Sequence, residues 1–117
     1  MSAGRTLRHV AAGGWALALA VAGCASVAGE AVEYADGGTA LEGYLALPDG
    51  NGKVPGVLVV HQWMGVTKHE KEVADRLAAA GYATFACDVY GKDDRPEGRS
   101  EAGAYAGKYK GDVDLLH

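Results

Sequence analysis

Hydrophobic residues along the chain fall into stretches of different length and spacing, and each stretch predicts a different element. The first runs from residue 10 to residue 23, carries no charge and is rich in Ala, Val and Leu. Arg5 and Arg8 precede it and small residues follow, which is the layout of a secretory signal peptide. A membrane-spanning helix needs about 20 apolar residues, and this stretch is shorter. We therefore expect residues 1–23 to direct export to the periplasm or the extracellular space.

The end of this apolar stretch offers alternative cleavage sites. The sequence "VAGC", which ends at Cys24, resembles the bacterial lipobox, in which the cysteine is lipidated and anchors the protein to a membrane. Cleavage after "SVA", residues 26–28, would instead release a protein without a lipid anchor. In a third interpretation Cys24 is only a small apolar residue of the signal. Residues 24–30 are expected to be a short linker, and residues 31–117 to belong to the folded domain.

Two short strands are predicted after the linker. The segment 32–34 ends at "DGG", a tight-turn signal whose glycines tolerate positive φ. From residue 40 to residue 47, leucines alternate loosely with polar residues. Together the two segments predict a β-hairpin. The loop "PDGNGKVP" follows, bracketed by prolines.

The segment "GVLVVH", residues 56–61, is apolar without alternation. A strand buried on both faces has this pattern, and such strands are usually parallel and central in a sheet. Thr67 and Glu70 then form a capping box for a helix that ends at Gly81. The second apolar run, residues 82–88, predicts the next parallel strand. Strand, helix and strand make a right-handed βαβ unit, so the predicted fold class is α/β.

The remaining residues begin with a long polar loop after Asp88. Ser100 is expected to cap a helix through "EAGAYAGKYK", although each of its glycines weakens a helix by about 1 kcal/mol relative to Ala. The final "GDVDLLH" is expected to start another helix. One βαβ unit and a hairpin leave the central strands without a neighbour on one side, which would expose an apolar edge. The chain is therefore expected to be the front part of a larger domain.

Charge and cysteine content narrow the classes of partner. Residues 1–23 hold two of the 11 basic residues and none of the 15 acidic ones, so their removal would leave a net charge of −6. This balance gives no support to nucleic-acid binding or to a basic membrane-binding patch. Contact with a membrane is expected only through a lipid on Cys24. Apart from Cys24 only Cys87 remains, so no internal disulfide is expected.

The residue pattern predicts neither a metal nor an organic cofactor. His61 and His69 are accompanied by no cysteine cluster and no H-E-x-x-H motif, so a metal centre is not expected. The segments "GAYAG" and "GKYKG" follow no strand and lack the spacing of a phosphate loop. This counts against a second class of α/β enzyme, one that binds a nucleotide at the end of the strand 56–61.

Two segments, "VEYADGGTALEGYLALPDGNGKVPGVLVVHQWMG" and "VADRLAAAGYATFACDVYGK", look like the N-terminal part of the dienelactone hydrolase family of α/β-hydrolases. The resemblance spans residues 31–117 and depends on the combination of motifs. It implies an α/β-hydrolase-type, mostly parallel sheet with an N-terminal β-hairpin, which stops before the nucleophile strand. It also implies hydrolysis of a small ester or lactone substrate by a Cys or Ser nucleophile.

The same resemblance implies roles for the turn "HQWMG". In the family the loop after this strand supplies a backbone N–H to the oxyanion hole, and the residue in that place here is Trp63. One such donor is worth about 3 kcal/mol of transition-state stabilisation. Family members usually carry Glu at the position of Gln62, where the carboxylate contacts the nucleophilic cysteine. An amide cannot hold the charge or the proton, so Gln62 does not fit activation of a thiol in that way. The resemblance implies a structural role for His61, at the end of the strand.

The loop after Asp88 resembles the family segment in which a basic residue binds the substrate carboxylate. Lys92 occupies that place and Arg95 is the near alternative, so the substrate is expected to be anionic. In a competing interpretation these are solvated loop charges paired with Asp93 or Asp94.

The catalytic triad is not found in the sequence. An α/β-hydrolase needs a G-x-S-x-G or G-x-C-x-G elbow, followed by an acid and a histidine, and no such elbow occurs. Cys87 lies within a predicted strand and is interpreted as a core residue, and the context of His117 does not fit the triad. We therefore expect these 117 residues to be inactive alone. The alternative from another class is a non-catalytic exported or lipid-anchored binding module with a hydrolase-like sheet.

Overall fold

The structure, a computed structural model, describes residues 27–116. Predictions that fall on residues 1–26 and on His117, including the signal peptide and the lipidation of Cys24, lie outside the described residues and stay predictions. The elements occur in the order β1 (Glu30–Asp36), β2 (Thr39–Ala46), β3 (Gly56–Val60), α1 (Lys68–Ala79), β4 (Ala83–Cys87), α2 (Arg99–Gly111) and a short 3₁₀ helix (Val113–Leu116).

These elements form an α/β domain built on one four-stranded sheet with the strand order β1-β2-β4-β3. The predicted hairpin is confirmed: β1 and β2 are antiparallel and joined by Gly37 and Gly38, whose φ values of 53° and 87° suit a tight two-residue turn. The predicted βαβ unit is also confirmed, since β3 and β4 are parallel and α1 connects them. Because β2 pairs with β4 antiparallel, the sheet over residues 27–116 is mixed.

Strand β3 has a neighbour on one side only within the described sheet, which leaves the apolar edge that the sequence predicted. The central strand is β4, which has β2 on one side and β3 on the other, whereas β3 lies at the edge. Leu58 and Val60 are 64% and 62% exposed, while Val57 and Val59 between them are half-buried. Burial of both faces of β3 is therefore not found within residues 27–116, whereas the predicted apolar edge without a neighbouring strand is confirmed. The apolar run marks surface suited to burial, but within these residues only one face of β3 is covered.

Helix α1 begins and ends at the predicted residues because both of its ends satisfy their backbone groups locally. The Thr67 N–H donates to the Glu70 carboxylate (2.8 Å), and the Thr67 hydroxyl accepts from the N–H of His69 (3.3 Å). At the other end Gly81 takes a φ of 99°, and the Tyr82 N–H donates to the carbonyl of Leu77 (3.1 Å). This is the turn for which a glycine after the helix is suited.

Helix α1 packs on the sheet through small side chains. Ala74 and Ala78 of the helix and Ala46 of β2 are fully buried in one cluster, with Tyr44 packed at its margin. The Tyr44 hydroxyl donates to the Asp75 carboxylate (2.9 Å), which ties β2 to the helix. The small alanine side chains allow the helix to lie close to the sheet. Because β3 and β4 are parallel, the turn after β3 and the loop after β4 lie at the same edge of the sheet.

Helix α2 begins without the predicted serine cap. Its N-cap is Gly98, which has no side chain, and Ser100 lies inside the first turn. No side chain caps the first turn, and the Glu101 carboxylate accepts from the N–H of Glu97 (3.0 Å), just before the helix. The "GDVDLLH" segment forms a 3₁₀ helix over Val113–Leu116. Within the described residues, no helix combines the length and apolar character needed to cross a membrane.

Candidate active site

A cleft of about 360 Å³ opens at the carboxyl ends of β3 and β4. Its walls come from the turn after β3, the loop after β4 and the inner side of α2. The lining residues are Val60, His61, Gln62, Trp63, Val89, Tyr90, Ala106, Tyr109 and Lys110. In open α/β sheets the carboxyl ends of parallel strands are where ligands bind, so this cleft is the candidate site.

The turn after β3 spans Gln62–Gly65. The Gly65 N–H donates to the Gln62 carbonyl (3.2 Å), and the φ of 83° at Gly65 is one that a glycine adopts without strain. Trp63 is 43% exposed, and its carbonyl accepts from the Tyr90 hydroxyl (3.1 Å). Among residues 27–116 no group accepts a hydrogen bond from the Trp63 N–H. The turn therefore offers a backbone donor beside the cleft while its carbonyls are engaged.

His61 connects the turn to the loop after β4. Its Nε2 accepts a hydrogen bond from the Val89 N–H (3.1 Å), and its Nδ1 lies 2.6 Å from the Gln62 carbonyl oxygen. The side chain is 3% exposed, and its ring packs edge-on against Tyr90 with centroids 4.7 Å apart. Both ring nitrogens thus have backbone partners, which agrees with the structural place expected for this residue.

The buried carboxylate of Asp88 organises the loop after β4. It accepts hydrogen bonds from the N–H groups of Glu42 (3.2 Å), Tyr90 (3.1 Å) and Gly91 (3.4 Å) and from the Arg95 guanidinium (3.1 Å). Burial alone would raise the pKa of the Asp88 carboxyl, but these donors and the charge of Arg95 outweigh it and hold the pKa below its ordinary value. Asp88 therefore fixes the backbone from which Val89 and Tyr90 reach the cleft.

The two basic residues predicted to bind substrate are engaged elsewhere. The Lys92 ammonium pairs with the Glu33 carboxylate of β1. The Arg95 guanidinium donates to Asp88 and to the carbonyl of Glu42 (2.7 Å). Neither residue lines the cleft. Their role in substrate binding stays a prediction. The competing interpretation named Asp93 or Asp94 as partners, whereas the observed partners are Glu33, Glu42 and Asp88.

The cleft holds functional candidates that the sequence pattern did not single out. Tyr90, Tyr109 and Lys110 all line it, and the Tyr109 hydroxyl donates to the carbonyl of Tyr90 (3.0 Å). Tyr105 and Tyr109 are one helical turn apart and both rings contact Tyr90. The sequence shows that the two tyrosines share one face of α2, but it does not show which loop that face contacts. No ion pair joins Lys110 to another residue of the described chain.

Gln62 and Cys87 lie where the sequence placed them. Gln62 is exposed and lines the cleft beside Trp63. Cys87 is in β4, half-buried, with its thiol donating to the carbonyl of Val59 (3.5 Å). Burial raises the pKa of the Cys87 thiol, which disfavours the thiolate that a nucleophile requires. Among residues 27–116 no group of three or more His, Cys, Asp and Glu side chains is arranged to hold a metal.

Acidification is expected to destabilise the domain through Asp88 and Glu70. For Glu70, burial opposes ionisation, but the hydroxyl and N–H of Thr67 outweigh it and lower the pKa. A carboxyl whose pKa is lower in the folded state stabilises the fold above its unfolded-state pKa of about 4, and this contribution is lost as the pH falls through the folded-state value. The urea midpoint should therefore be lower at pH 3 than at pH 6. An unchanged midpoint would contradict this, and Glu70→Gln should reduce the difference.

Comparison with known proteins gives one consistent result. The sequence model of the dienelactone hydrolase family matches residues 41–114. Protein usf of Aquifex pyrophilus and a protein of Aquifex aeolicus named "Putative carboxymethylenebutenolidase" are each 40% identical to the chain over 65 residues, 53% of its length. The matched region is 27% of each relative, so the chain spans about a quarter of their length.

A solved structure shows the same architecture. A dienelactone hydrolase-like promiscuous phosphotriesterase from metagenomic libraries superposes with a TM-score of 0.70 and 31% identity. The superposition covers 77% of this chain and 38% of that one. The α/β-hydrolase type of fold is therefore confirmed by structure as well as by sequence.

Proposed function

The chain belongs to the dienelactone hydrolase family, and from that premise we propose that it supplies the oxyanion side of a site that hydrolyses carboxylic esters or lactones. Membership of the family supports a hydrolase. The choice of ester or lactone, and of Cys or Ser as nucleophile, is our proposal. The phosphotriesterase activity named for the structural relative belongs to that protein.

One observation carries the proposal: a backbone donor stands beside the cleft at the carboxyl end of β3. The Trp63 N–H has no acceptor among residues 27–116, and the carbonyls on both sides of it are engaged by Gly65 and Tyr90. Ester and lactone hydrolysis passes through a tetrahedral oxyanion, and a fixed amide donor stabilises that charge by about 3 kcal/mol. The turn is therefore suited to stabilise the negative charge of the tetrahedral oxyanion.

The part that breaks the bond needs a nucleophile, and the 117 residues contain no G-x-S-x-G or G-x-C-x-G elbow. We expect the chain alone to show no turnover of p-nitrophenyl acetate above buffer. A longer product of the same coding region, with such an elbow after residue 117, should hydrolyse the ester. Replacing the Ser or Cys of that elbow with Ala should abolish the activity. Turnover by the 117-residue chain that is lost on changing one side chain would contradict the proposal.

The charge of the cleft bears on the substrate. Among residues 27–116, Lys110 is the lysine or arginine that lines the cleft, and no Asp or Glu of this range lines it. Lys92 and Arg95 are paired with acidic residues, so Lys110 is better placed to attract an anion. An exposed charge of this kind is worth about 0.7 kcal/mol, about threefold in affinity. We infer that the cleft prefers a carboxylate-bearing ligand to a neutral one.

This preference is measurable by the fluorescence of Trp63 in a Trp15→Phe background. Phenylacetate should bind about threefold more tightly than phenylacetamide, and Lys110→Gln should make the two affinities equal. The matched control is Lys108→Gln on the same helix, because the Lys108 ammonium lies over the Tyr109 ring and does not line the cleft. An equal loss of preference in both variants would show that the general charge of α2, and not Lys110, selects the ligand.

A further inference from the structure

We propose that His61 is a positioning residue that holds the Gln62–Trp63 peptide in place by donating a hydrogen bond from Nδ1 to the Gln62 carbonyl. Through that peptide it sets the position of the Trp63 N–H. The catalytic value of this arrangement rests on the proposed function, whereas the tautomer and the hydrogen bond do not.

The tautomer follows from the partner of the other nitrogen. Val89 donates its N–H to His61 Nε2 at 3.1 Å, so the Nε2 lone pair is an acceptor and carries no proton. A neutral imidazole has one N–H, and it must then be at Nδ1, which lies 2.6 Å from the Gln62 oxygen. The distance of 3.8 Å from Nε2 to the Asp88 carboxylate is too long for a hydrogen bond. His61 and Asp88 would form an ion pair at this distance only if Nε2 carried a proton. That proton would displace the hydrogen bond that the Val89 N–H donates to Nε2.

A hydrogen bond to the Gln62 carbonyl also fixes the orientation of the Trp63 amide. The Gln62 carbonyl and the Trp63 N–H belong to one planar peptide unit, so fixing the oxygen fixes the direction of the N–H. The carbonyl accepts a second hydrogen bond, from the Gly65 N–H at 3.2 Å. Two donors on one carbonyl also polarise the peptide and strengthen its N–H as a donor. The next carbonyl, that of Trp63, is held by the Tyr90 hydroxyl.

The ring itself is held firmly enough to serve this purpose. The His61 side chain is 3% exposed and packs against Tyr90. Val89, its partner at Nε2, directly follows Asp88, whose carboxylate gathers three backbone donors and Arg95. The contacts run from the Asp88 loop through the imidazole to the peptide of Trp63, and they explain why a histidine at this strand end has neither the exposure nor the free nitrogen of a general base.

The first experiment measures the tautomer in the unaltered chain. Long-range proton–nitrogen correlation on the 117-residue protein with ¹⁵N-labelled histidine, at neutral pH, distinguishes a protonated ring nitrogen from an unprotonated one. We expect His61 to show a protonated Nδ1 and an unprotonated Nε2. A proton at Nε2, or rapid averaging of both forms, would overturn the proposal without any variant.

The second experiment separates the two contacts of the ring. The amide nitrogen of Asn reaches approximately the place of Nδ1 and that of Gln the place of Nε2, so His61→Asn retains a donor to Gln62 and His61→Gln does not. By ¹⁵N relaxation the Trp63 amide should have an order parameter of about 0.85 in the native chain, and it should fall below about 0.6 in His61→Gln. The value should be retained in His61→Asn.

Two controls complete the test. His69→Gln changes an exposed histidine of α1 and should leave the Trp63 order parameter unchanged. The order parameter of Ala86, which is buried in the central strand, reports whether each variant is folded. A rigid Trp63 amide in a folded His61→Gln variant would refute the positioning role. If that variant is unfolded, the tautomer measured in the unaltered chain decides. Because no turnover is measured, a failure of the proposed function leaves the result intact.

Discussion

Replacement of Asp88 by alanine is expected to destabilise the domain by about 3–5 kcal/mol, because it removes one partner of a buried ion pair. The substitution leaves the Arg95 guanidinium and the N–H groups of Glu42, Tyr90 and Gly91 without their acceptor. A domain of this size has a total stability of about 5–15 kcal/mol, so this is the largest effect of a single side chain that we expect.

The effect is measurable as the change in the free energy of unfolding by urea, followed by circular dichroism. Asp93→Ala is the matched control, since Asp93 is an exposed carboxylate in the same loop and should change the free energy by less than about 0.5 kcal/mol. Equal effects of the two substitutions would show that the contacts of Asp88 contribute little. The Asp88→Ala variant should also lose the part of the pH dependence that arises from Asp88.

Gly43→Ala is expected to destabilise the domain by about 2–3 kcal/mol through overpacking. A Cβ at this position would lie 2.5 Å from the Phe85 ring and 2.7 Å from the Ala86 carbonyl oxygen. The ring can shift, but the carbonyl is part of the central strand. The methyl group would therefore push β2 away from β4 and weaken the pairing that joins the hairpin to the rest of the sheet.

Gly52→Ala provides the comparison for Gly43. Nothing lies within 4 Å of a Cβ at Gly52, which is in the exposed loop between β2 and β3. The alanine there should be neutral or slightly stabilising because it restricts the unfolded chain. Thermal unfolding of the two variants side by side measures the difference, and a similar melting temperature for both would mean that β2 and β4 separate at little cost.

Elements with local signals could be predicted from the sequence. The Gly37–Gly38 turn and the capping box of Thr67 and Glu70 depend on residues close in the chain, and both were placed correctly. The predicted Ser100 cap was wrong, because the helix begins at Arg99 and its N-cap is Gly98, which has no side chain. The predicted burial of both faces of β3 is not found over the described residues, because an apolar run shows that burial is favourable but does not identify the element that covers it.

The candidate site was predictable only in part for a similar reason. The turn that carries Gln62 and Trp63 is contiguous in sequence, so a family resemblance could place it. Besides Asp88, the acidic partners of the two basic residues are Glu33 for Lys92 and Glu42 for Arg95, at separations of 59 and 53 residues. Charge pairs of such separation are not visible in a single sequence. The predictions for these basic residues therefore named the right loop but not the partners that hold it.

The sheet order has a consequence for synthesis on the ribosome. The hairpin is complete once residue 46 has been made, but its partner β4 ends at Cys87, so at about 5–20 residues per second the hairpin waits for several seconds. A two-stranded hairpin is only marginally stable alone in water. During that interval, and afterwards at Leu58 and Val60 on the edge strand, the nascent chain presents apolar strand surface. We therefore expect a general chaperone that binds extended apolar segments to be needed for good yield of the isolated chain.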